Sequence, residues 1–230
     1  LFAVFAVPCV LFVKERGNPH PRPVVGVRVL RESTRQTIDT LRQGQRYPGL
    51  LRFLVGRVFY TDAVNTVIAF MSLYTTNVAI AAGLGPDEGR RQAGYIMLSA
   101  ISFAVAGGFA WGWIVDRAGP RRTLNAVLAL WVGIFGLAAC IGFLHLPIAF
   151  LYVVAALAGI ALGGTWSADR PFMLRLTPPD RVGEFYGLYG MVGRFSAITG
   201  PVLWAAATYL TVEWAGASEL TGQAWAILTL

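Results

Sequence analysis

An aspartate lies deep inside an apolar run, Phe59-Tyr60-Thr61-Asp62-Ala63-Val64-Asn65-Thr66. If this segment is a membrane helix beginning near Phe53, Asp62 is about nine residues in. That places it roughly 14 Å deep, close to the middle of a hydrocarbon core about 30 Å thick. A carboxylate at such depth must face a cavity or a partner. Asp62, Asn65, Ala69, Ser72 and Thr76 recur at helical spacing and form one polar, small-residue stripe. The stripe suits the wall of a water-filled pathway for a solute; it also suits hydrogen bonding between helices. A titrating Asp62 would link solute movement to protons.

Three further constellations stand out. Gly112, Asp116-Arg117, Gly119 and Arg121-Arg122 read G-x-x-x-D-R-x-G-x-R-R at the end of an apolar run. Here Gly112 would permit close helix contact, Asp116 would accept bonds from a neighbouring helix end, Gly119 would allow a tight reversal, and the arginines would anchor at the interface. Next, Gly159 and Gly163 have G-x-x-x-G spacing, followed by Asp169, Arg170, Asp180, Arg181 and Glu184, whose charges balance as a cluster closing one face. Finally, Gly190, Gly193, Ala197 and Gly200 make a small-residue stripe, and Gly200-Pro201 is expected to bend its helix. Arg194, inside the same run, either snorkels to the interface or pairs with an acid such as Asp62. Trp111, Trp113, Trp204 and Trp214 are candidate interface anchors.

The elements that must position these residues follow from composition. Of 230 residues, 56% are hydrophobic and 13% charged, where a soluble domain averages about 25% charged. The apolar residues gather into stretches of membrane-spanning length. Full spans are expected at 50–81, 93–115, 124–144, 147–168 and 184–211, with half spans at 1–13 and 221–230, all helical because lipid offers the backbone no hydrogen bonds. The 14–48 stretch is polar, proline-rich at Pro19, Pro21 and Pro23, and carries a Ser33–Gln36 capping pattern that predicts a short amphipathic helix. Both ends of the chain read as cut. Cys9 and Cys140 are expected to be buried small hydrophobes, with no disulfide framework.

The net charge of +7 is uneven. Lys14 to Arg57 holds ten basic and three acidic residues, the 116–123 turn is net positive, and the turns near 83–92, 145 and 212–220 are not. Counting Lys and Arg, 14–49, 116–123 and 169–183 face the cytosol and the remaining turns the other side. The basic residues flank spans, so topology rather than nucleic-acid binding accounts for them. No zinc-protease, nucleophile-elbow or Walker motif is present, and neither His20 nor His145 has a catalytic partner in sequence.

Taken in order, Y-T-D-A-V-N-T-V at 60–67, the D-R-x-G-x-R-R turn, G-G-T-W-S-A-D-R at 163–170 and E-F-Y-G-L-Y-G at 184–190 resemble the vacuole-effluxer-like branch of the major facilitator superfamily. The resemblance covers about residues 50–211. It departs at Trp166 and Asp169, where relatives tend to have Gln and Ser, and at Arg194, where a lysine is common. It implies twelve helices in two six-helix halves, of which this chain supplies the C-terminal half.

The reading is thus an all-α polytopic membrane protein, truncated at both ends: the end of a membrane helix at 1–13, a central cytosolic loop at 14–48 and a helix bundle at 49–230. Its expected function is secondary transport of a small solute by alternating access, with amino acids as the implied class and protons as the coupling ion. It would use no cofactor and would not be an enzyme. The expected partners are membrane lipids, the solute and the missing N-terminal half. Asp62, Asn65, Ser72 and Thr76 would line the pathway; Gly112, Asp116, Arg117, Gly119, Arg121, Arg122, Asp169, Arg170 and Arg194 would serve gating. A transport-inactive half-protein acting as a scaffold, or a membrane enzyme built around Asp62, are the alternatives.

Overall fold

A computed structural model describes residues 7, 11–12, 48–195 and 198–230. The chain divides into Leu1–Asp39 and Thr40–Leu230. The expected helix end at 1–13 and the 14–48 loop, with its capping pattern, lie almost wholly outside the described residues, as do Cys9 and Ala197.

The described part of the second unit is helical: α1 Pro48–Ala81, α2 Pro86–Ala118, α3 Pro120–Leu144, α4 Ala149–Leu176, a short 3₁₀ turn Pro179–Arg181, α5 Val182–Phe195, α6 Thr199–Tyr209, a π turn Leu210–Trp214 and α7 Glu219–Leu228. Five stretches, including Pro179–Trp214 as one, are long and apolar enough to cross a membrane.

Three boundaries differ from the sequence expectation, each for a visible reason. α2 begins at Pro86, so Asp87 and Glu88 occupy its first turn, where proline fits the unpaired N–H positions and acids favour the helix dipole. Arg90 and Arg91 fold back on these acids as exposed i,i+3 pairs, contacts of small worth. The 116–123 turn reduces to Gly119, whose φ of 84° suits a residue without Cβ, and Pro120 restarts the chain as α3. α4 runs through Pro171 to Leu176, which moves Asp169 and Arg170 out of the loop and into the helix. The expected 184–211 span falls within one membrane-length stretch, Pro179–Trp214, whose described helices are α5 and α6, with a bend at Ile198. Pro201, third in α6, sits where no intrahelical N–H bond is required.

Short connections make consecutive long helices antiparallel. The starts of α1 and α3 and the ends of α2 and α4 meet at one end, with Gly49 beside Leu176 and the Arg175 side chain across Gly119. This is the basic end. At the other end Gly89 of α2 packs on Thr76 and Ala79 of α1, and Gly142 of α3 faces Tyr74 and Ala224.

α2 and α4 pack most closely. A Cβ on Gly159 would strike the backbone of Ala100, one on Gly163 the backbone of Gly108 and Ala104, and one on Gly107 the Cα of Ile160 at 2.7 Å. The G-x-x-x-G reading of Gly159 and Gly163 therefore holds. Gly112 does not share this role: a Cβ there would meet nothing within 4 Å. It lies five residues beyond Gly107, about 140° round the helix.

Two apolar cores result. One, around Tyr74, Ile96, Val127, Trp131, Ile134, Leu151 and Ile227, joins α1, α2, α3, α4 and α7. The other, around Leu50, Phe53, Val115, Leu124, Met173 and Phe185, fills the basic end. Trp204 is buried against Phe70, with ring centroids 5.0 Å apart, so it packs the interior and does not anchor at the interface; Trp113 and Trp214 are exposed. Cys140 is likewise exposed, on the outer face of α3, and not buried as expected.

Gly163→Leu should destabilise the bundle by about 2 kcal/mol or more, because α2 has no room to yield. Gly112→Ala should change stability by less than about 0.5 kcal/mol. Thermal unfolding in detergent, run side by side, checks both.

Candidate functional site

The functional residues on α1 lie on two different faces. Arg57 and Tyr60, one turn apart, point towards α4 and α5. Asp62 and Thr66, also one turn apart, point towards α6.

On the first face Asp169 of α4 is the centre. Arg57 Nε donates to Asp169 Oδ2 at 3.0 Å, Tyr189 Oη to the same oxygen at 2.6 Å and Tyr60 Oη to Oδ1 at 2.5 Å. Arg57 Nη1 also donates to the Tyr189 carbonyl at 3.1 Å, and its guanidinium lies 3.7 Å from the centroid of the Tyr189 ring. Both charged residues are buried, Arg57 at 8% and Asp169 at 5% exposure, so each charge has to be met by a partner inside the protein. Gly193 of α5 makes room: a Cβ there would sit 3.0 Å from Arg57 Nη1.

Asp169 is therefore not in a loop cluster with Arg170, Asp180, Arg181 and Glu184. Continuation of α4 past Pro171 carries it about 10 Å from the helix end, among groups of α1 and α5. Arg170, Asp180 and Glu184 are exposed. Sequence reasoning missed Arg57, Tyr60 and Tyr189. The signal was present, because Arg57 lies within the first span, where an arginine demands a partner; it was grouped instead with the basic linker.

On the second face Asp62 is 6% and Thr66 1% exposed. Asp62 Oδ1 and Thr66 Oγ1 are buried with no hydrogen-bond partner. Both crowd Gly200 at the start of α6, where a Cβ would overlap Thr66 Oγ1 and come within 2.9 Å of Asp62 Oδ1. Arg194 is exposed and forms no ion pair with Asp62.

The expected stripe divides. Asn65 and Ser72 are exposed, Thr76 is half-buried with its hydroxyl returned to the Ser72 carbonyl, and Asp62 is buried round the helix from them. Asn65, Ala69 and Ser72 present a small polar strip on the outside of this bundle. Beside it lies an open groove of about 670 Å³ among α1 to α4, lined by Val67, Met71, Phe109, Trp131 and Trp166 among others. The groove is apolar, and the polar groups along it, Trp131 Nε1 and Ser167 Oγ, already bond Thr165, Gly108 and Gly163.

At the basic end Arg117 stacks on Trp113, 3.6 Å from its ring centroid. Asp116, Arg121 and Arg122 are exposed. Asp116 makes no hydrogen bond or ion pair among the described residues, so the expected acceptor role is not seen. No group of three or more His, Cys, Asp or Glu side chains able to hold a metal ion occurs among the described residues.

Removing one partner of the Arg57–Asp169 pair leaves a buried charge alone, so Arg57→Met or Asp169→Leu should each cost about 3–5 kcal/mol. The double variant Arg57→Met/Asp169→Leu should recover most of that loss. A double-mutant cycle read by thermal unfolding tests this, and additive losses would exclude direct coupling.

The vacuole effluxer Atg22-like family profile matches residues 1–215. An uncharacterised MFS-type transporter, YxiO of Bacillus subtilis, is 23% identical over 91% of this chain and 45% of its own length. Autophagy-related protein 22 of Gibberella zeae is 23% identical over 88% of this chain and 32% of its own. Autophagy-related protein 22 of Coccidioides immitis is 27% identical over 89% and 36%. This chain thus spans less than half the length of these relatives. No solved structure matches it. With the apolar helices and the extent of the match, the chain is an integral, multi-pass membrane protein that belongs to the vacuole effluxer Atg22-like family.

Proposed function

We propose that this chain forms one half of a secondary transporter that moves a small solute by alternating access, coupled to protons through Asp62. The observation that carries the reading is a carboxylate oxygen buried in a mid-span position without a partner, against Gly200 at the start of α6. An unpaired carboxylate in such a place is costly. A bound proton relieves that cost; loss of the proton restores it and favours an arrangement in which Asp62 reaches water. This is the differential interaction with two states that a coupled transporter requires.

The outward strip of Asn65, Ala69 and Ser72 would face the solute pathway, with Thr76 at its far end. Much of the surface around it is unburied, and α2 is the least buried of the helices α1 to α4. A second helix half facing α2 and this strip would complete the pathway. The basic end would face the cytosol, where Arg117, Arg121, Arg122, Asp116 and Arg170 lie exposed for contact with lipid headgroups or with that half. The Asp169 cluster would hold α1, α4 and α5 in register while the halves rock. Relatives named as an MFS-type transporter and the effluxer description of the family support transport. The family resemblance also supplies amino acids as the solute class.

Proteoliposomes carrying the full-length protein, with and without a proton gradient, test the reading on a panel of labelled amino acids. Gradient-dependent flux should fall at least tenfold in Asp62→Asn. Flux that ignores the gradient, or survives the substitution, would remove Asp62 from the coupling.

A further inference from the structure

Arg194 stands in the last turn of α5, about 18 Å along the helix from Val182. It lies two to three residues short of the centre of Pro179–Trp214, the membrane-length stretch that holds α5. With the hydrocarbon core centred on that stretch, the nearer face of the core is roughly 11 Å away. That is beyond the reach of the side chain, so snorkelling does not carry the charge to the headgroups. The guanidinium is exposed and makes no hydrogen bond or ion pair among the described residues. The carbonyl end of α5 favours a cation there but leaves the guanidinium donors unmet. A charge at such depth has to face water or a partner.

Arg57 shows what a structural arginine in this bundle requires: a carboxylate, a carbonyl and an aromatic ring, all supplied by its neighbours. Arg194 has none of these. Gly193 faces Arg57 at the seam between α1 and α5, and Arg194, about 100° further round the helix, turns away from that seam. On its own face of α5 the residues one, two and three turns earlier are Gly190, Gly187 and Gly183, all exposed, where a Cβ would meet nothing within 4 Å. Helical side chains lean towards the N-terminus, so the guanidinium overlies a strip of bare backbone. A small molecule has room to approach it there. Asp62 is turned towards Gly200 on α6 and does not meet this charge.

We propose that Arg194 binds the carboxylate of the transported amino acid, its planar fork meeting both oxygens. The proposal rests on the reading of this chain as half of an amino-acid transporter and adds the residue that recognises the negative end of the solute. A fixed ion pair with an acid of a second helix half would also satisfy the charge, but it would tie the halves together where they have to move. A solute carboxylate arrives and leaves with each cycle.

The probes are the proteinogenic amino acids and their carboxamides, which keep the side chain and the ammonium group and lose the negative charge. Thermal-shift titrations on the full-length protein in maltoside micelles give the affinities. One or more amino acids should bind saturably, and the matching carboxamide at least about tenfold more weakly, the scale of a hydrogen-bonded charge. Arg194→Gln should weaken the amino acid at least about tenfold, leave the carboxamide within about twofold and leave the unfolding temperature of the ligand-free protein unchanged. Arg194→Lys should recover part of the loss. Absence of saturable binding, equal binding of the carboxamide, or equal weakening of both ligands in Arg194→Gln would each overturn the proposal. So would a lower ligand-free unfolding temperature in Arg194→Gln with the preference for the amino acid intact, which would assign the arginine to a contact between the halves. Coupling through Asp62 is read separately, from gradient-dependent flux, so either idea can fail while the other stands.

Discussion

The buried Arg57–Asp169 pair sets the geometry of the basic end. Two opposite charges taken out of water are tolerated only where nearly every lone pair and N–H is met. Here Asp169 accepts from Arg57, Tyr60 and Tyr189, while Arg57 reaches the Tyr189 carbonyl and lies over the same ring. A sliding of α1 by one residue along α4, or a rotation of α5, breaks several of these bonds at once. The network thus contributes less as net stability than as a demand for one register among α1, α4 and α5. Gly193 follows from that demand, since a side chain there would press on the guanidinium.

The same helix α1 carries the opposite situation five residues on. Asp62 is as buried as Asp169 but has an oxygen with no donor, and Thr66 beside it has none either. Two acids on the inner faces of one bundle thus differ in kind, one fully bonded and one with an oxygen left unmet. A satisfied charge fixes helices; an unsatisfied one gives different arrangements different free energies.

Much of this was legible in the sequence. Length and hydropathy locate the membrane helices, because lipid imposes a fixed span. The close approach at Gly159 and Gly163 follows from spacing alone. What was not legible depended on long-range partners. Asp169 and Arg57 are 112 residues apart, and local sequence suggests nearer partners for each: a charge-balanced loop for one, a basic linker for the other. The charged residues from Asp169 onward read as a loop, yet α4 continues through them and through Pro171 to Leu176. Trp204 was read by residue type as an anchor, whereas its stacking on Phe70 depends on where α6 meets α1. Gly112 shows the converse, a family-like motif position whose expected contact falls instead on Gly107.

The packing also indicates where motion can occur. α2 and α4 touch backbone to backbone at Gly107, Gly108, Gly159 and Gly163, an interface with no slack for sliding. α5 is tied to α1 and α4 by Tyr189 but ends at Phe195, and α6 begins afresh at Thr199. Gly200, next in the chain, is the residue that Asp62 and Thr66 crowd. The surroundings of Asp62 and the start of α6 are therefore in direct contact, just after the bend at Ile198. α6 leads directly into the π turn Leu210–Trp214, which carries Glu213. The Arg57–Asp169 network, by contrast, ties α1, α4 and α5 together through several bonds at once.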